Sequence, residues 1–297
     1  MTIKSEFFHE GFVTKLPILS RSRAQAIDEE YKSFLETETK KWRAVEHKSK
    51  THLFFDWANE IVHDEKLLDY VSQILGKNIY CWNSLIFYKP PFSSVFVSPH
   101  QDQNYWNVES DKALSVQLAI SDSLVDNGCL QILPKSHLIN YAHLDLSDRN
   151  NMLARGQTVE LDKAETNKME NIELSQGECV IFHGNVVHGS MPNTSNRHRL
   201  NFTIRFLTPD NKIDTTLYYN HATLVKGRDD FGHFVQEVSC SDVSNEKRRK
   251  IHKRILLQQF ERYLRLQVKN SVVTAVLMQF FKFGIFRSFA YFLAKKT

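Results

Sequence analysis

From residue 79 to residue 207 the chain is cut into short apolar runs by turn-forming residues. The runs occupy 79–88, 94–98, 113–121, 128–133, 158–161, 178–183 and 201–207. Asp126-Asn-Gly128 and Pro192-Asn-Thr-Ser195 are two of the turn signals between them. Many short strands with such breaks predict an antiparallel sandwich or barrel rather than alternating β-α-β units.

The flanks have a different texture. Residues 6–19 read as an entry strand centred on Gly11-Phe-Val-Thr-Lys-Leu-Pro17. Ser22 with Gln25 predicts a capping box opening a helix to about residue 36, and Ala26, Ile27, Tyr31 and Phe34 follow helical spacing. A second helix is predicted over 57–75, ended by Gly76. Residues 139–171 are polar and loop-like, suited to a lid or substrate loop. Beyond residue 242, Ile251, Ile255, Leu256, Phe260, Tyr263, Leu264 and Leu266 form an amphipathic helical pattern. The chain is therefore divided into a domain over 1–242, with its N-terminal helices, and a basic, apolar helical extension over 243–297.

At 297 residues, 42% hydrophobic and 24% charged, the chain can bury a core and does not read as disordered. Cys81, Cys129, Cys179 and Cys240 are too far apart in sequence for a zinc knuckle or a redox pair. They predict reduced, buried thiols in a cytoplasmic protein. The first residues lack an apolar h-region, so no secretory signal is expected.

Chemistry concentrates at His100-Gln-Asp102. Residues i and i+2 of an extended strand share a face, so an imidazole and a carboxylate meet one point in space. A second imidazole would complete a 2-His-1-carboxylate facial iron site with open positions. The segment 177–190 offers two, His183 and His188. A 2-oxo acid chelating such a metal leaves its far carboxylate needing a cation. Arg199, at the start of the run 200–206, suits that task because its planar fork binds carboxylate bidentately.

The ordered set of motifs resembles the phytanoyl-CoA dioxygenase family of Fe(II)/2-oxoglutarate oxygenases. Its pieces are Phe8-His-Glu-Gly-Phe12, His100-Gln-Asp102 with Tyr105-Trp106, and Asp126-Asn-Gly-Cys-Leu-Gln-Ile-Leu-Pro134 with Ser136-His137. Gly177-Glu178, Phe182-His183, His188-Gly-Ser190, Asn193 and Arg199 complete it, so the resemblance covers about residues 6–208. It implies a mainly β fold with flanking helices, whose core is a double-stranded β-helix, the cupin-like jelly roll. It implies His100, Asp102 and His188 as iron ligands. It also implies Arg199 on the distal carboxylate of 2-oxoglutarate, assisted by Ser190, with Gln117 as a further cosubstrate contact. His183 lies five residues before His188, on the opposite face of a regular strand, and reads as a packed or supporting histidine. Tyr105 and Trp106 are candidates both for the substrate pocket and for ordinary core. Arg205 competes with Arg199 for the cosubstrate, and the resemblance favours Arg199. Related halogenases carry a small residue in place of the carboxylate, so Asp102 favours hydroxylation. Two residues depart from the family pattern: Lys135 stands where Gly is usual, and Glu178 where Asp is usual.

The expected function is thus that of a non-haem dioxygenase hydroxylating a small-molecule or lipid-type substrate, giving succinate and CO2. The alternatives are a cupin-like metal-binding protein without turnover and a membrane-attached scaffold. Charge bears on the last. Residues 246–297 carry 13 Lys/Arg against two acids, a balance of +11, which leaves −7 on the rest of a chain whose net charge is +4. Residues 271–294 contain only Lys282 and Arg287 as charges. Their length permits a membrane span, but the two cations would sit near the bilayer centre at about 2.5–3.5 kcal/mol each. The expected arrangements are a helix lying on an anionic membrane or one packed on protein, core or second subunit. No nucleic-acid recognition motif accompanies the basic residues. The expected location is the cytoplasm, peripheral to the inner face of a membrane.

Overall fold

The structure, a computed structural model, describes residues 2–38, 46–106, 108–146, 148–153, 157–212, 220–237 and 243–267. In chain order it comprises α1 (Ile3–Glu10), β1 (Phe12–Pro17), α2 (Arg21–Glu38), α3 (Asp56–Val62), α4 (Glu65–Leu75), β2 (Ile79–Lys89), β3 (Val97–His100), β4 (Ala113–Ala119), β5 (Leu130–Ile132), β6 (His143–Asp145), β7 (Gln157–Val159), α5 (Lys163–Thr166), β8 (Glu170–Ile172), β9 (Glu178–His183), β10 (His188–Ser190), β11 (Arg199–Leu207), β12 (His221–Lys226), β13 (Val235–Gln236) and α6 (Asn245–Gln267). The larger sheet runs β1-β9-β4-β11-β2-β12-β13, and a smaller one runs β3-β10-β5-β8. Pairing is antiparallel except between β12 and β13. This is the jelly roll, with β6 and β7 as a separate hairpin.

Alternation along β11 sets the layers. Leu200, Phe202, Ile204 and Phe206 are buried against α1–α4, in one cluster with Val116, Leu118, Tyr31, Trp57 and Val71. Burying each such side chain contributes about 1.5–3 kcal/mol. The period of two sends Arg199, Asn201, Thr203 and Arg205 to the other face, towards the smaller sheet. β4 divides likewise, with Ser115 and Gln117 opposite the apolar set. A second cluster including Leu130, Ile132, Val180 and Phe182 fills the space between the sheets.

Several local expectations are corrected. Residues 6–10 belong to α1, because Thr2 and Ser5 form a capping box and Gly11, left-handed at φ 89°, closes the helix on Phe7 O before β1 begins. The hydroxyl that meets the first turn of α2 is Ser20, which accepts from Arg23 N at 3.2 Å, rather than Ser22. The helix predicted over 57–75 is two helices, since the Asp64 carboxylate caps Leu67 N at 2.8 Å and starts α4 afresh. The segment 139–171 contains β6, β7 and α5, pieces of three or four residues and too short to leave a periodic signal.

α6 packs on the body. Arg248 pairs with Asp56, His252 Nε2–H donates to Ser49 O at 2.9 Å, and Ile255 packs with Leu53 and Ile251. Of the expected thiols, Cys81, Cys129 and Cys179 are buried. Cys240 and the apolar stretch 271–294 lie outside the described residues. Among the described residues no helix is long and apolar enough to cross a membrane.

Lys135 occupies the left-handed region at φ 63°. That conformation strains a residue with a Cβ and suits the glycine expected there. Lys135→Gly is therefore expected to stabilise the protein by about 1 kcal/mol, read as a higher urea midpoint; an unchanged or lower midpoint would show that the backbone carries no strain there.

Candidate metal centre

β3 and β10 lie side by side, with His188 directly opposite His100 in the register. Close contact is needed there: a Cβ on Gly189 would lie 2.9 Å from Val97 O and 3.2 Å from Pro99 N. A register irregularity between His188 and Ser190 marks a bulge beside the site. The strand ends at His100. Asp102 opens a 3-10 turn instead of continuing the strand, and the extended Gln101 between them keeps the two side chains together.

His100, Asp102 and His188 are all buried, and one ligand atom from each lies within 4.8 Å of the others. His100 Nε2 is 3.5 Å from Asp102 Oδ1, and His188 Nε2 is 4.0 Å from Asp102 Oδ2. Each imidazole donates Nδ1–H to a backbone carbonyl, His100 to Ser98 O at 2.9 Å and His188 to Val186 O at 3.0 Å. That tautomer leaves both Nε2 lone pairs facing the carboxylate. Burial, then the neighbouring His100, pushes His188 down to about 4, so its ring is neutral. Burial would raise the Asp102 carboxyl, but the Arg205 guanidinium and the His100 hydrogen bond hold it well below the usual carboxylate range. Two imidazoles, each with Nε2 turned to one point, and one ionised carboxylate are the donor set of a facial iron site, so the residues present fit that metal.

The same cavity is lined by Gln117, Ser190, Arg199, Thr203 and Arg205. Arg199 is buried and donates through Nη1 to Gly128 O, while its Nε has no hydrogen-bond partner among the described residues. Gln117 Nε2 and Thr203 Oγ1 are likewise buried without a partner. Buried polar atoms left this way are rare and fit an anionic, oxygen-rich occupant.

Sequence reasoning missed Lys89. It faces Arg199 in the β2–β11 register, is fully buried, and its Nζ donates to Ser190 Oγ at 2.8 Å. Burial and the charge of Arg199 pull its ammonium down to about 6. Arg205, the competitor of Arg199 for the cosubstrate, donates to Asp102 Oδ1 at 3.0 Å. Its guanidinium lies 5.0 Å from the centre of the Trp106 ring. Trp106 is accordingly placed behind Arg205, in a cluster with Tyr80 and Trp82, rather than on the cavity wall; the side chain of Tyr105 lies outside the described residues. His183 packs between Phe7 and His137, away from the ligand cluster. Gln101 was passed over as the spacer between two ligands. Its buried amide donates to Ile139 O at 2.7 Å and Asn185 O at 2.5 Å, and accepts from Tyr141 N at 3.0 Å, tying both ligand elements to the segment that follows β5. The period-two spacing of Arg199, Thr203 and Arg205 was the signal available for the inner wall; nothing in the sequence singled out Lys89 or Gln101.

The family model described as phytanoyl-CoA dioxygenase matches residues 21–201, a span that holds the whole cluster. The chain is 30% identical over 176 residues to the probable alpha-ketoglutarate-dependent hypophosphite dioxygenase of Stutzerimonas stutzeri, covering 58% of this chain and 59% of that one. It is 26% identical over 202 residues to the ectoine dioxygenase of Streptomyces coelicolor, covering 63% and 66%. Among solved structures it is similar to the non-haem monooxygenase ThoJ in its apo form, with a TM-score of 0.75, 25% identity, and coverage of 88% of this chain and 97% of that one. CytC3 with Fe(II) and alpha-ketoglutarate shares the fold at a TM-score of 0.57 and 21% identity, over 77% of this chain and 89% of that one. The chain spans about half the length of the curated relatives it matches.

Proposed function

Because the chain belongs to the phytanoyl-CoA dioxygenase family, we propose that it is a non-haem Fe(II)/2-oxoglutarate-dependent dioxygenase that hydroxylates a small-molecule or lipid-type substrate. The observation that carries this reading is the joint burial of the His100–Asp102–His188 cluster and of the Arg199 guanidinium in one cavity. His100, Asp102 and His188 hold the metal. Bound iron supplies oxygen activation coupled to oxidative decarboxylation of the 2-oxo acid to succinate and CO2.

The protein's own share is placement. Ser98 O and Val186 O hold the imidazole protons at Nδ1, so that both Nε2 atoms face the metal. Arg205 keeps Asp102 ionised and fixes its Oδ1. Arg199 takes the distal carboxylate of 2-oxoglutarate through its fork, Ser190 Oγ assists, and Gln117 Nε2 contacts the same molecule. The apolar side chains of Phe87, Val97 and Phe182 line the cavity and exclude water. Peripheral contact through residues 246–297 places the enzyme at the cytoplasmic face of a membrane, within reach of a lipid-linked substrate.

The test is succinate formation from 2-oxoglutarate with Fe(II) and O2, coupled or uncoupled. Arg199→Ala is expected to raise the KM for 2-oxoglutarate about 100-fold, the worth of a charge-assisted bidentate pair. Iron binding without succinate across a broad set of substrates would leave a cupin-like binder in place of the enzyme.

A further inference from the structure

The inward face of α6 is occupied. Arg248, His252 and Ile255 face Asp56, Ser49 and Leu53, and Ile251 joins them in one stripe at helical spacing. The opposite arc is a run of cations. Lys247, Arg249, Lys250, Lys253 and Arg254 are all exposed, and Glu246 is the acid among them, paired with Lys250 at 2.7 Å. The Arg249 guanidinium lies 5.0 Å from the centre of the Phe54 ring, which holds this arc against the body. Like charges three and four residues apart repel along a helix. An anionic surface relieves that repulsion.

We propose that this outward arc of α6 docks on an anionic phospholipid surface. The occupant follows from charge and from what comes next in the chain. Lys247, Lys250, Lys253 and Arg254, on stems long enough to reach phosphates, match a planar sheet of anionic headgroups. The body carries a balance of −7, so attraction to an anionic surface is local to the C-terminal segment. The stretch 271–294, with Lys282 and Arg287 as its charges and Phe as its commonest residue, has the composition of a lipid-facing segment. A nucleic-acid partner would call for a polar continuation. The inference rests on the peripheral contact proposed above and narrows it to one face of one helix.

The experiment is flotation of the full chain with vesicles of phosphatidylcholine alone and of phosphatidylcholine with phosphatidylglycerol. The protein is expected to float with the anionic vesicles only, and to be released between 0.1 M and 1 M salt as the screening length falls from ~10 Å to ~3 Å. The triple variant Lys250→Glu, Lys253→Glu, Arg254→Glu should keep the thermal midpoint and lose at least about 100-fold in partitioning, at roughly fivefold per cation. Undiminished flotation of that variant overturns the assignment to α6 and leaves the contact to residues 268–297. No flotation of the parent chain overturns the contact itself. Duplex DNA binding as tightly as the anionic vesicles overturns the choice of lipid. Each readout is independent of turnover, so none of these failures touches the catalytic reading.

Discussion

Asp102→Ala is expected to abolish succinate formation and to lower Fe(II) affinity by more than about 100-fold. Partners that only orient metal ligands are already worth about 10- to 100-fold, and in the proposed site Asp102 supplies a ligand atom itself. It is also the one anion in the triad, lying within 4.0 Å of both imidazole Nε2 atoms. Its loss leaves Arg205 aimed at a neutral methyl group, 5.0 Å from the Trp106 ring centre. The site would then combine two imidazoles with an uncompensated cation, which repels a divalent metal. Anaerobic calorimetry with Fe(II) or Ni(II) checks the affinity. Ser115→Ala is the graded control. It removes only the 3.3 Å hydrogen bond to Asp102 Oδ2 and should cost about tenfold. Metal binding of parental strength in Asp102→Ala would remove the triad from the reading altogether.

The second large effect lies away from the cavity. Lys50 Nζ and Glu237 Oε1 form a 2.6 Å pair with both side chains essentially buried. Glu237 Oε2 also meets His52 Nε2 at 3.1 Å and accepts from Thr223 Oγ1 at 2.7 Å. These contacts join residues 50–52, β12 and the segment leading to α6. Glu237→Leu strands the Lys50 ammonium and should destabilise the protein by about 3–5 kcal/mol. The double variant Glu237→Leu, Lys50→Met should recover most of that loss, because removing both charges also removes their desolvation cost. Denaturant midpoints decide it, and a double variant no better than the single one would refute the ionic account.

The pH dependence has a definite sign. Burial opposes ionisation of Glu237, yet the Lys50 charge and the His52 hydrogen bond outweigh it and bring the carboxyl down to about 2 from 4.5. Its stabilisation is complete above about 4.5 and is lost as the pH falls towards 2. Burial pushes His252 down to about 4 from 6.5, so the fold holds it neutral. Its contribution is complete above 6.5 and is lost on acidification through 4. The thermal midpoint should therefore fall below pH 6.5 and fall more steeply below 4.5. Glu237→Leu should flatten the second limb.

Much of this was legible in the chain. The short apolar runs of residues 79–207 carried the β architecture, because strand side chains alternate with a period short enough to show in five to ten residues. His100 and Asp102 stood out by residue type and spacing, while the choice of His188 over His183 and of Arg199 over Arg205 rested on the resemblance to the family. Local rules failed where a competing local bond acted. Thr2 and Ser5 nucleate α1, and Asp64 splits a helical pattern into α3 and α4. They failed too where pieces were short, as with β6, β7 and α5.

What the sequence alone determined was the set of groups with metal-binding and anion-binding chemistry, since those depend on side-chain identity. Tertiary structure decided which of them meet. It turned His188 towards His100 across β10 and β3, and sent Arg205 to Asp102 with Trp106 behind it. It buried Lys89 beside Arg199, and spent the apolar stripe of α6 on Leu53 while its cations faced outward. Each outcome depends on register between strands or docking between elements far apart in the chain. Side-chain type does not encode that; it is set when two sheets and their covering helices settle on one common core.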